Sequence, residues 1–207
     1  MKIEILYPEI CTLYGDKGNT MYLQKCLPDA EFVTTGLNEK PLFLKENIDM
    51  VYMCSMSEKS QELVLDRLMQ YKDEIAACMK DGKALFLLVG NSMELLGDYI
   101  KREDGTRVTG LGVVPGMYSV RQAPNRFNTL IKAKFNDMTL IGYTSRFAHT
   151  YGIPDDMTFC KVEIGQGSNP DTMNEGICKN RVIATYIHGP LLIQNPDFVH
   201  YLLEKLD

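Results

Sequence analysis

The sequence predicts a doubly wound α/β domain built on a mixed sheet with helices on both faces, and three patterns carry that expectation. Segments of strand and helix character alternate through the first half of the chain, the order that crossover-connected parallel strands require. Two of those strands, IDMVYMC at 48–54 and ALFLLV at 84–89, are almost continuously apolar, as strands covered on both faces must be. The second half changes to strand-like runs with no helix between them, which extends the sheet with antiparallel strands.

Each element has its own local warrant. KIEILY at 2–7 is the first strand, and the loop PEICTLYGDKGN after it is punctuated by Pro8, Gly15, Asp16, Gly18 and Asn19, with Asn19 placed to cap a helix over TMYLQKCL. AEFVTTGL reads as the second strand. From Glu58 to Lys80 the residues Val64, Leu68, Tyr71, Ile75 and Cys78 recur at steps of four and three, the spacing of one helix face, and Gly82 supplies a stop. A helix is expected from Asn91 to about Ile100, followed by a loop-rich stretch, REDGTRVTGLGVVPG. RFNTLIKAKF, MTLIGYTS, TFCKVEIG and RVIATYIH read as strands, and NPDFVHYLLEKL closes the chain as a helix with Asn195 as cap and Pro196 in first position. With no internal repeat, low-complexity tract or linker composition, residues 1–207 are expected to form one domain.

The totals exclude several function classes. A net charge of -5 with 22 scattered Lys and Arg argues against a phosphate-backbone partner, so no nucleic acid is expected. The opening MKIEILYPEI carries Glu4 and Glu9 in its apolar run and reads as a strand, not a secretory signal; no stretch reaches the roughly 18 apolar residues of a membrane span. A cytoplasmic protein without a membrane partner is the expectation. The cysteines at 11, 26, 54, 78, 160 and 178 include no CxxC pair and no zinc-ligand spacing, so neither a disulfide framework nor a metal is implied, and no cofactor is expected.

His188, in ATYIHGPLL, stands at a strand end before a Gly-Pro turn, where ligands sit in open α/β sheets; it is the candidate base, with a turn-holding structural histidine as the alternative. His149 and His200 read as surface or packing residues. FLLVGNSMELLG, residues 86–97, is a buried strand turning straight into a helix, the junction that in many hydrolytic enzymes lifts a nucleophile clear of the sheet. Here the turn residue is Gly90, and Asn91 with Glu94 three residues on has the spacing of a capping box.

The succession YPEICTLYGDKGN, a strand-turn-helix ending ELLG, GTRVTGLGVVPG and IHGPLL resembles the class I (triad-type) glutamine amidotransferases of the cobyric acid synthase branch, nearest to the glutaminase subunits of lipid II isoglutaminyl synthases. The resemblance spans essentially the whole chain and implies a flavodoxin-like fold. It implies glutamine hydrolysis by an elbow cysteine, with a histidine as base and acid and backbone N–H groups on the oxyanion, and ammonia handed to a synthetase. His188 then occupies the place of the histidine, and Arg126 the place of an arginine that contacts substrate, with a solvated strand-edge arginine as the alternative; a further reading is a binder of a glutamine-like small molecule that reuses the pocket, Arg126 gripping a carboxylate. The implied partner is a Mur-ligase-like synthetase in a heterodimer, in peptidoglycan precursor amidation, or a cobalamin enzyme.

Three segments depart from the family pattern. The elbow, Cys-Gly-Gly-Tyr-Gln-Leu-Leu-Gly in the family, runs from Gly90 through Asn91, Ser92, Met93 and Glu94 to Gly97, so the nucleophile position carries no thiol. The loop expected as Gly-Gly-Gly-Gln-Asp reads Cys54, Ser55, Met56, Ser57, Glu58, and a Glu-Asn-His triplet reads Thr144, Ser145, Arg146. Asn91, Glu94 and Ser55 join Arg126 as the residues that would line a substrate pocket. Losing the nucleophile of such a unit costs on the order of a million-fold in turnover, so the expectation is a subunit that binds or scaffolds without glutaminase activity. The alternative is a working amidotransferase using Cys54 with His188; Ser92 lies past the apex and is a poor nucleophile.

Overall fold

The two most apolar runs lie side by side at the centre of the sheet, because only there are both faces of a strand covered. In the computed structural model, which describes residues 1–206, the parallel half comprises β1 (Lys2–Leu6), α1 (Lys17–Cys26), β2 (Glu31–Thr35), β3 (Met50–Met53), α2 (Glu58–Leu68), α3 (Lys72–Asp81) and β4 (Leu85–Val89). There follow β5 (Tyr99–Lys101), β6 (Arg107–Thr109), β7 (Tyr118–Arg121), β8 (Phe127–Phe135), β9 (Met138–Arg146), β10 (Ala148–Tyr151), β11 (Thr158–Ile164), β12 (Asn174–Lys179), β13 (Val182–Thr185), α4 (Leu191–Gln194) and α5 (Pro196–Leu206).

The main sheet has nine strands in the order β2-β1-β3-β4-β13-β12-β11-β8-β9. Its first five are parallel, in the flavodoxin-like order, and the remaining pairings are antiparallel. Helices cover both faces: Met79 of α3 shares a cavity with Ile177 and Val182, whereas Cys178, which points the other way, lies against Tyr201 of α5. Phe135, Phe159, Phe198 and Tyr201 close the core beneath α5. The last strand, β13, returns to the centre beside β4, which brings His188 to the same sheet edge as Gly90.

Several local expectations give way. The stretch 90–96 is a 3₁₀ helix, not an α-helix, and β5 begins at Tyr99. Ser92 through Leu96 are all buried, so the segment has no solvent side and lacks the one-faced character of a surface helix. The stretch 58–81 is two helices joined by a 3₁₀ turn over Met69–Tyr71; a turn of three residues keeps apolar positions nearly in phase, so periodicity does not reveal it. Asn19 lies inside α1 and caps nothing: its amide donates to the Tyr52 hydroxyl at 2.9 Å and accepts from the Leu192 backbone at 2.9 Å. The Asn195 side chain likewise spans the Ile141 N–H and carbonyl of edge strand β9. The stretch read as loop contributes β6 to a second sheet, β10-β7-β5-β6.

Gly82 does end α3, in the left-handed conformation at φ +63°. Among the described residues no helix is long and apolar enough to cross a membrane.

Candidate active site

The elbow after β4 is present without its side chain. Gly90 stands at φ +72°, the left-handed conformation that glycine enters freely. A β-carbon built there would lie 1.9 Å from Ser55 Oγ, 2.9 Å from Ser55 Cβ and 2.5 Å from His188 Cε1. The space that a side chain at this turn would enter is therefore filled by Ser55 and by the imidazole itself.

Ser55 follows β3, His188 follows β13, and Asp16 comes from the YGDKGN loop; all three are at least 99% buried. Ser55 Oγ is 3.2 Å from His188 Nδ1 and 3.2 Å from Asp16 Oδ2, and His188 Nδ1 is 3.2 Å from the same carboxylate oxygen. The arrangement is a triangle. A proton relay needs the hydroxyl and the carboxylate on opposite ring nitrogens, so that one accepts while the other donates; here both partners converge on Nδ1. The backbone also holds the ring, since His188 and Tyr143 exchange N–H to carbonyl bonds at 2.8 and 3.2 Å. Tyr14, at φ +58°, lies over the imidazole with 4.6 Å between ring centres, and Tyr143 packs at 5.7 Å.

The other candidate residues fall around this triangle. Arg126 is exposed, donates to the Tyr14 hydroxyl at 2.8 Å and to Ser145 Oγ at 3.1 Å, and stacks on Phe147. It borders the roof over His188, not the buried triangle.

Asn91 and Glu94 form no capping box. The Asn91 amide accepts from the Met56 N–H at 3.0 Å and donates to the Met56 carbonyl at 2.7 Å, fixing the loop after β3 from the side. That use occupies the Met56 N–H, so it is not free to face an oxyanion. Glu94 turns inward to Gln61 Nε2 and the Tyr186 hydroxyl, both at 3.0 Å, and burial pushes its carboxyl above the usual range.

Cys54 and Ser55 point to different partners, as neighbours on extended chain do. The Cys54 thiol donates to the Cys11 carbonyl at 2.6 Å, and burial, reinforced by the Asp16 charge, pushes its pKa far up. The structure thus pairs His188 with Ser55, not with Cys54, whose thiol lacks the electropositive surroundings that would make a thiolate. Ser92 donates to the Val89 carbonyl at 2.8 Å and is buried. His149 is a packing residue, 3.9 Å from the Phe127 ring centre, and His200 is exposed on α5. Among the described residues no group of three or more metal-ligating side chains gathers.

Asp16 reads in the sequence only as loop punctuation, and its one signal is a carboxylate in a glycine-flanked loop after the first strand.

A family model described as the CobB/CobQ-like glutamine amidotransferase domain matches residues 2–196. The chain belongs to that family. Two relatives are each a lipid II isoglutaminyl synthase (glutamine-hydrolyzing) subunit GatD. The one from Streptococcus pneumoniae is 27% identical over 98% of this chain and 79% of its own length, and the one from Staphylococcus aureus is 27% identical over 93% and 79%. Among solved structures, PurLQS from Thermotoga maritima superposes with a TM-score of 0.67 at 12% identity, covering 100% of this chain and 99% of that one. A second glutamine amidotransferase gives 0.64 at 14% identity, with 99% and 98% covered. At such identities these structures speak for the amidotransferase fold alone. This amidotransferase domain has glycine at the turn after β4.

Proposed function

We propose that this chain is a single-domain amidotransferase-like subunit that does not turn over glutamine and serves as the binding or scaffold half of a heterodimer with a Mur-ligase-like synthetase. One observation carries the reading: at Gly90 there is no side chain, and the volume it would occupy is taken by Ser55 and His188. Ser55 is no substitute, because its hydroxyl is 1% exposed and shares Nδ1 with Asp16. The subunit role is supported by the relatives, both named as subunits of lipid II isoglutaminyl synthase.

Ammonia release from glutamine tests the loss of activity, measured on the purified protein alone and mixed with a Mur-ligase-like synthetase. The expected rate is background; turnover on the order of 1 s⁻¹ or faster refutes the proposal. Incubation with diazo-oxo-norleucine, followed by mass mapping, is expected to leave Cys54 unmodified. An adduct there would establish the competing reading, an active enzyme using Cys54 with His188.

A further inference from the structure

A second site lies at the sheet edge away from His188. A cavity of about 290 Å³ lies between one flank of α1 and the strands β1, β2 and β3. We propose that it binds a small monoanionic carboxylic acid with an aromatic or branched aliphatic body.

The chemistry of the walls sets the ligand class. Ile5 and Phe32 give an apolar floor. Across from it, Lys17, Thr20, Met21 and Gln24 repeat at helical spacing, so α1 turns a flank of hydrogen-bond donors and one pliable methionine toward the cleft. That flank is not what docks the helix. The core face of α1 is Asn19 and Leu23, and Gly18 abuts Pro190 and Ile193.

Among the described residues no carboxylate lies within 4.0 Å of the Lys17 ammonium, so its charge stands at the cleft without a protein counter-ion. An anionic end at Lys17 and an apolar body on Phe32 satisfy both walls. The volume is at the low end for ligand cavities, which suits roughly ten to fifteen non-hydrogen atoms. Tyr52 forms the partition from the His188 triangle: its hydroxyl accepts from Asn19 and donates to the Asp16 carbonyl at 3.1 Å. Glutamine, polar at both ends, does not match this cleft.

The test is amide NMR on the full chain titrated with phenylacetate and hexanoate, with phenylacetamide, hexanamide and glutamine as controls. The acids are expected to shift signals of α1, β2 and the loop between β1 and α1, with affinity at least about tenfold above the matching amides. Lys17→Gln, a change at an exposed side chain, is expected to erase that acid-over-amide preference, and Thr34→Phe, which fills the cleft from its exposed rim, to abolish binding of both. The inference fails if no shifts appear up to about 10 mM acid. It also fails if the shifts centre on His188 and Tyr143, or if Lys17→Gln keeps the preference.

Discussion

A cysteine placed at residue 90 would add a thiol for which the fold has no room. In Gly90→Cys the backbone at φ +72° must carry a β-carbon, which costs about 1–2 kcal/mol in the left-handed region. That β-carbon lies 1.9 Å from Ser55 Oγ and 2.5 Å from His188 Cε1, and neither neighbour has solvent to retreat into. Ser55 Oγ can rotate away, but its β-carbon, 2.9 Å off, cannot. Overpacking of this kind costs on the order of 1–3 kcal/mol, so the total is about 2–5 kcal/mol. Set against a typical stability of roughly 5–15 kcal/mol, that is a large fraction.

The decisive comparison is Gly90→Cys in a Ser55→Gly background, which removes two of the three close contacts. Urea unfolding of the wild type, both single variants and the double variant gives the coupling energy, expected to favour the double variant by about 1–3 kcal/mol. A Gly90→Cys protein that unfolds at the wild-type midpoint, or a coupling below about 0.5 kcal/mol, would refute the argument that Ser55 and His188 fill the nucleophile's place.

Other outcomes follow from paired and buried polar groups. Glu62 accepts from Arg102 and Arg121, which hold its carboxyl down at about 2. A depressed carboxylate contributes stability that is full above its unfolded pKa and lost as pH falls through the folded one. The stability gap between wild type and Glu62→Gln, followed by urea unfolding, should therefore be constant near neutrality and shrink between about pH 4.3 and 2. Burial, with the Arg146 charge adding to it, lowers His149 to about 4, so its imidazole NMR signals should stay in the neutral form to well below pH 6. Because the unfolded chain takes up that proton first, His149 subtracts stability as pH falls from about 6.5 toward 4. Tyr186→Phe removes the donor to Glu94 and the partner of Thr150, and should cost about 1–3 kcal/mol in urea unfolding with no loss of the fold by circular dichroism.

The sequence by itself determined the central layer of the molecule. The runs at 48–54 and 84–89 are almost continuously apolar because both faces of those strands are covered, and a one-dimensional pattern records that directly. It also recorded the glycine at the turn after β4, since the identity of one residue is a matter of composition at one position. What it could not record is which side chains meet. Asp16, Ser55 and His188 are 39, 133 and 172 residues apart in their pairings, and they touch only because β13 returns to lie beside β4. The same distance effect misled the reading of Asn19, Asn91 and Asn195, which have the spacing of local caps but spend their amides on partners far along the chain. Local spacing reports bonds within a turn, whereas buried polar groups are satisfied by whatever the packed fold brings within reach. In this protein the tertiary structure, not the sequence, decided what fills the space beside Gly90.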